Sequence, residues 1–233
     1  MAAVRERIAA ACRRAGRPVE EVTLVGVAKG QPVDRLRAAL AAGVTVLGEN
    51  RVQEAEAHRA ALAGPAAAGR PGGFPAWHLI GPLQSNKAKR AAALFDFVHS
   101  VDRTKIARIL DREFAALGRR VDALVEVNLG GEATTHGFAA DGLAASVRPL
   151  AHLEHLRLVG VMVIPPPGGP EGARRWFRRA RALAAELAAE PEWQGFPGLL
   201  SMGMSDDFEV AVEEGATHVR VGSALFGPRA DPP

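Results

Sequence analysis

The 233-residue chain has one cysteine, Cys12, and no tyrosine. A single cysteine excludes an intrachain disulfide and any CxxC metal site. No apolar stretch approaches the roughly 18 residues of a membrane span. The N-terminal segment, with Arg5, Glu6, Arg7, Arg13 and Arg14, lacks the apolar core of a signal peptide. A cytoplasmic protein without membrane contact is expected. Charge of one sign is also scarce: the formal net charge is +3, and lysine and arginine are scattered among acids. The one basic run, Arg174-Arg175-Trp176-Phe177-Arg178-Arg179, reads as a solvated helix face, so no nucleic-acid partner is expected. No GxSxG elbow is present, no GxGxxG follows the first apolar run, and His152 and His155 lack a third ligand nearby, so no metal is expected.

What is present is alternation. Apolar residues make up 48% of the chain, enough for a sizeable core. Residues 2–15 carry Val4, Ile8, Ala11 and Cys12 at helical spacing and predict a short amphipathic helix. The apolar run from Val22 to Val27 then predicts a strand buried on both faces, with Lys29 at its exit and Pro32 opening the next helix. Further strands are expected over 44–47, 77–80, 95–99, 123–128, 158–163, 199–201 and 218–222. Helices are expected over 33–42, 51–62, 85–94, 104–117, 140–149, 172–189 and 206–214. An Ala/Gly/Pro-rich loop over 63–76 interrupts the pattern without splitting it. Eight strands alternating with helices argue for a parallel sheet. In this length they predict a single-domain (β/α)8 TIM barrel with an extra N-terminal helix, spanning residues 1–233. The alternative, an open doubly wound sheet, would normally carry the glycine fingerprint that is missing.

Active-site residues of a barrel sit where strands end. Those positions are polar here: Lys29, Glu49-Asn50-Arg51, His78, His99-Ser100, Asn128, Ser201 to Ser205, and Arg220 to Ser223. An amine at the exit of a buried strand either marks where the strand meets water or supplies the nucleophile for a Schiff base. Ser201-Met202-Gly203-Met204-Ser205 and Val221-Gly222-Ser223-Ala224 combine glycines and hydroxyls, which suits a phosphate after strands seven and eight. Asp206 and Asp207 fit helix capping equally well. An amine at strand one and a phosphate cradle at strands seven and eight fit pyridoxal 5′-phosphate (PLP) held covalently. Arg220 then either faces the pyridine nitrogen, weakening the cofactor as an electron sink, or forms a salt bridge to Glu49 or Glu126. His78 and His99 read as acid–base groups or as hydrogen-bonded structural residues.

The same segments carry a family resemblance. Val27-Ala28-Lys29, Gly48-Glu49-Asn50-Arg51-Val52-Gln53-Glu54, Trp77 to Lys87, Leu200 to Phe208 and Arg220 to Gly227 resemble, in order, the pyridoxal-phosphate homeostasis proteins of the YggS/PROSC type. The resemblance implies a barrel of the alanine racemase N-terminal kind with PLP on Lys29. It implies phosphate contacts from Ser201, Gly222 and Ser223, Arg220 at the pyridine nitrogen, and Asn50 lining the ring pocket; His78 and Met204 complete the expected cofactor site. Two positions depart from the usual pattern, where lysines are replaced by Gln31 and Thr135, which removes accessory lysines from any transfer role. The implied function is intracellular vitamin B6 homeostasis without an established reaction, the protein meeting PLP-dependent apoenzymes transiently. The alternative is a PLP-dependent, racemase-like enzyme. Racemases of this type use a tyrosine as second base, and the chain has none. A barrel has no open sheet edge, so a monomer is expected.

Overall fold

The computed structural model describes residues 1–63, 75–131 and 136–227. Most of the expected 63–76 loop, and Thr135, lie outside the described residues. In chain order the elements are α1 (Ala2–Ala15), β1 (Thr23–Val27), α2 (Val33–Ala41), β2 (Val46–Glu49), α3 (Val52–Leu62), β3 (Ala76–Leu79), α4 (Ala88–Leu94), β4 (Phe97–Val101), α5 (Thr104–Ala116), β5 (Val121–Asn128), β6 (Phe138–Ala139), α6 (Leu143–Val147), β7 (Leu156–Val163), α7 (Gly169–Ala188), β8 (Leu199–Ser201), α8 (Phe208–Glu213), β9 (His218–Val221) and α9 (Ser223–Phe226).

All strand pairs are parallel, and the sheet closes through both β4–β5 and β1–β9 pairing. Eight strands therefore form a (β/α)8 barrel with the helices around it, as the alternation predicts. The two-residue β6 hangs on the end of β5 at Val127 and Asn128 and takes no part in the closure. The N-terminal α1 buries Val4, Ile8, Ala11 and Cys12, ends at Gly16 in the left-handed conformation, and joins α8 through an Arg7–Glu209 ion pair.

Strand alternation sorts the apolar residues into two compartments. Outward residues such as Leu47, Trp77, Val98 and Val219 pack with the helices in one continuous cluster that includes Phe114, Phe177 and Phe208. Inward residues form two smaller clusters, one around Val25, Val46 and Ile80, the other around Leu124, Val159 and Met162.

Several boundaries differ from the sequence expectation for identifiable reasons. Phe95 is the C-cap of α4 and belongs to the helical shell, so the fourth strand runs 97–101 instead of 95–99. Residues 85–87 form a 3-10 turn before α4. The helix expected over 140–149 is an α-helical segment of five residues continued by a 3-10 turn, because Pro149 cannot donate the next backbone bond. The expected 206–214 helix starts only at Phe208; residues 205–207 form a turn in which Asp207 Oδ1 accepts from Met204 N–H at 2.6 Å. The short α9 was not expected.

The basic run on α7 is an ion-paired surface. Arg174 binds Glu171, Glu213 and Glu214, Arg178 binds Glu214, Arg179 binds Glu186, and Arg175 lies 4.8 Å above the Trp176 ring. Among the described residues no helix is long and apolar enough to cross a membrane, and no cluster of side chains suits a metal ion.

Candidate functional site

Inward positions of β3, β4, β8 and β9 carry polar residues, and these meet inside the barrel. His78 Nδ1 lies 2.9 Å from His99 Nε2, and His99 Nδ1 lies 2.7 Å from Ser201 Oγ. Arg220 donates to Ser201 Oγ at 2.6 Å and to the Val163 carbonyl at 3.0 Å. His218 completes the layer, its ring centroid 5.4 Å from that of His99 and 6.1 Å from that of His78. Phe97 stacks beneath, 4.9 Å from His78.

Burial decides the charge of this layer. It pulls His78 down to about 3 and His218 down to about 4, and His99 well below the ordinary histidine value. All three rings are neutral at pH 7. Burial also lowers Arg220, to about 10, which leaves it protonated. The layer thus contains one cation held by neutral acceptors.

Above the layer, strands end at the barrel mouth. Lys29 follows β1 in a turn fixed by Ala28 N–H donating to the Gly48 carbonyl at 2.9 Å and by Gln31 N–H donating to the Ala28 carbonyl at 3.0 Å. Gly30, at φ 64°, supplies the positive angle the turn needs. Gln31 is buried beneath this turn, where its Oε1 accepts from Arg35 at 3.3 Å, so the position of an absent accessory lysine is a packing position here. Lys29 and Asn50 line one cleft of about 810 Å³ together with Arg51, Lys87, Arg103 and His136. The Lys29 amine has no hydrogen bond or ion pair among the described residues. Asn50 is held by close packing: a Cβ on Gly81 would lie 2.7 Å from the Asn50 backbone.

Glu49 points away from the mouth. Its carboxylate meets His58 of α3 at 2.5 Å, and burial raises Glu49 while the carboxylate raises His58. A salt bridge from Arg220 to Glu49, one of the sequence alternatives, is therefore absent. Arg220 and Glu126 influence each other electrostatically but form no ion pair.

On the β8–β9 side, Ser205 Oγ accepts from Gly222 N–H and from Ala224 N–H, both at 3.2 Å. Gly222 and Ser223 flank this hydroxyl, with Ser223 exposed at the start of α9. The loop is set by Gly203 at φ 90°, where an added Cβ would lie 2.5 Å from that of Ala211, and the Gly203 carbonyl receives Arg220 N–H at 3.0 Å. Met204 stands exposed on the rim of a second cleft, of about 550 Å³, shared with Glu126, Asp206, Asp207 and His136.

The sequence-expected residues thus divide between two levels. Lys29, Asn50, Met204, Gly222 and Ser223 stand at the mouth; His78, Ser201 and Arg220 form the buried layer below. Sequence reasoning missed Ser205 as the hydroxyl among the backbone amides, although the Ser201–Ser205 segment contained it. It also missed His218, whose position as the first residue of its strand gave no hint of an inward ring, and Glu126 as a cleft residue.

A closed parallel barrel with a free amine after its first strand, beside a hydroxyl-and-amide cradle at the ends of its last two, defines the class of the alanine racemase N-terminal domain. The chain matches that family over residues 1–230. It is 42% identical over 231 residues to the pyridoxal phosphate homeostasis protein of Pseudomonas aeruginosa, covering 98% of this chain and 94% of the relative. PipY of Synechococcus elongatus, solved with PLP bound, superposes with a TM-score of 0.80 at 40% identity, covering 96% of this chain and all of that one. Alanine racemase of Clostridium difficile shares the fold, with a TM-score of 0.67 at 15% identity over 57% of its length. The chain belongs to the family of pyridoxal phosphate homeostasis proteins.

Proposed function

We propose that this chain binds pyridoxal 5′-phosphate through a Schiff base on Lys29 and serves intracellular vitamin B6 homeostasis as a carrier. The observation that carries this reading is the unpartnered Lys29 amine at the mouth of a barrel whose neighbouring rim, across the β1–β9 pairing, presents Ser205 and the amides of Gly222 and Ala224. A phosphate seated there takes donors from Gly222, Ser223 and Ser205. Ser201, whose hydroxyl is tied to Arg220 and His99, acts by holding Arg220 at the ring nitrogen. His78 supports that chain from below, Asn50 lines the ring, and Met204 closes the rim. Bound PLP supplies an aldehyde and a ring that withdraws electrons; the residues here orient it and, through a charged Arg220, keep the ring nitrogen unprotonated.

A carrier fits better than a racemase-like enzyme. The chain has no tyrosine. His78 and His99, the bases that could replace one, are buried and bonded to each other instead of facing the clefts. The carrier acts as a cytoplasmic monomer that meets recipient apoenzymes transiently.

The test is an absorbance spectrum before and after borohydride reduction, with peptide mapping of the label. The reading expects a reduced label on Lys29, and a folded Lys29→Ala variant without it. A label on another lysine, or an unchanged spectrum in Lys29→Ala, overturns it. Ser205→Ala is expected to weaken PLP binding by about tenfold while the label on Lys29 persists.

A further inference from the structure

The second cleft at the mouth differs in kind from the lysine cleft. We propose that it is a binding site for a primary alkylammonium ion, with Glu126 as its anionic seat and Met204 and Ile164 as part of its apolar wall.

Glu126 is an inward residue of β5 and only 7% exposed, yet neither carboxylate oxygen has a hydrogen-bond partner among the described residues, and Oε2 is sealed from solvent. A buried carboxylate without partners is costly and calls for a ligand. Arg220 does not neutralise it by contact, because its terminal nitrogens donate to Ser201 and Val163. Burial, with Asp102 adding to it, pushes Glu126 up to about 7, so a proton and an external cation compete for it near neutral pH, and a bound ammonium would favour the anion.

Among the described residues, the cleft around it contains no lysine or arginine. Its charged residues are Glu126, Asp206 and Asp207, with His136 at the border to the lysine cleft. Asp207 is engaged with Met204 N–H, and Asp206 is exposed at the entrance. The walls are hydrocarbon: Ile164 is 49% and Met204 39% exposed, and three consecutive prolines, 165–167, continue the surface. An acidic floor beneath apolar walls, in about 550 Å³, matches a compact ammonium on a short hydrocarbon stem. Anions are directed to the neighbouring cleft, where Lys29, Arg51, Lys87 and Arg103 gather. This site shares Met204 with the rim of the proposed PLP site, but its anionic seat, Glu126, is not part of that site, and its test does not require PLP.

The experiment titrates the full-length, PLP-free protein with n-butylammonium chloride, followed by amide chemical shifts, with sodium butyrate as the control of opposite charge. Saturable binding of butylammonium is expected, with no matching response to butyrate. Glu126→Gln should weaken it by about tenfold or more, as for loss of a hydrogen bond to a charged group. Asp206→Asn, at the exposed entrance, should weaken it about two- to threefold. Absence of binding by the parent, equal binding of butyrate, or an unchanged affinity in folded Glu126→Gln overturns the proposal. Should Glu126→Gln fail to fold, unchanged affinity in both Asp206→Asn and Met204→Ala overturns it instead.

Discussion

The outside and the inside of this barrel are stabilised by different means. Outside, Leu47, Trp77, Phe114 and Phe177 pack with the helices in one uninterrupted apolar cluster. Inside, two small apolar clusters flank a layer of three neutral histidines, a serine and an arginine. The outer shell holds the fold through area and packing density, which respond to volume and hardly to pH. The inner layer consists of polar groups satisfied by one another, so its contribution depends on protonation. The molecule keeps its fold and its chemistry in separate compartments.

The sharpest way to break this comparison is a truncation in the shell. Phe177→Ala should cost about 3–5 kcal/mol of stability, as for other buried phenylalanines, and urea unfolding reads it directly. A loss below about 1 kcal/mol would mean that the shell is not what holds the barrel.

The inner layer predicts the next effect. His78, at about 3, and His218, at about 4, titrate far below an unfolded histidine at about 6.5. Between pH 6.5 and 4 the unfolded chain takes up protons that the folded one refuses, so stability falls as pH falls through that window and is fully present above it. Urea unfolding from pH 4.5 to 7 should show this slope, and His218→Asn should reduce it by about one proton. A flat profile would place the histidines in contact with water.

Glu126 acts with the opposite sign. Its folded value of about 7 lies above that of an unfolded glutamate, about 4.3. It therefore removes stability as pH rises from 4.3 to 7, and Glu126→Gln should steepen the gain with pH measured above. The smallest effect belongs to the surface. Arg179→Gln breaks its pair with Glu186 along α7, and exposed ion pairs of this kind contribute about 1 kcal/mol or less. A larger loss would show that the outer shell relies on charge as well as packing.

Most of the barrel was legible in the sequence because each strand was an apolar run bounded by turn residues, and each helix carried its own stripe. The mouth was legible too, since strand ends are where polar residues interrupt those runs. The division of the site into two levels was not. Ser201 and Ser205 are alike in sequence, but a strand position turns Ser201 inward to Arg220, while the bend at Gly203 carries Ser205 to the amides that follow β9. His218 was read as the start of a strand, although strand parity with Arg220 places both inside. Charge balance was hidden for the same reason: Glu49 and Glu126 both precede an asparagine, separated by one residue in the case of Glu126, yet only Glu126 faces the barrel interior.

The β1–β9 pairing, in which Val25 lies beside Arg220, joins the two ends of the barrel at its seam. Lys29 therefore follows the first strand of the closure, while Ser205, Arg220 and Gly222 lie on or just after the last two. A chain that has formed only its first strands carries the amine without the other half of the site. On that proposal, ligand capture is reserved for a barrel that has closed. Under the proposed PLP reading, occupancy of the site then doubles as a mark of a closed barrel.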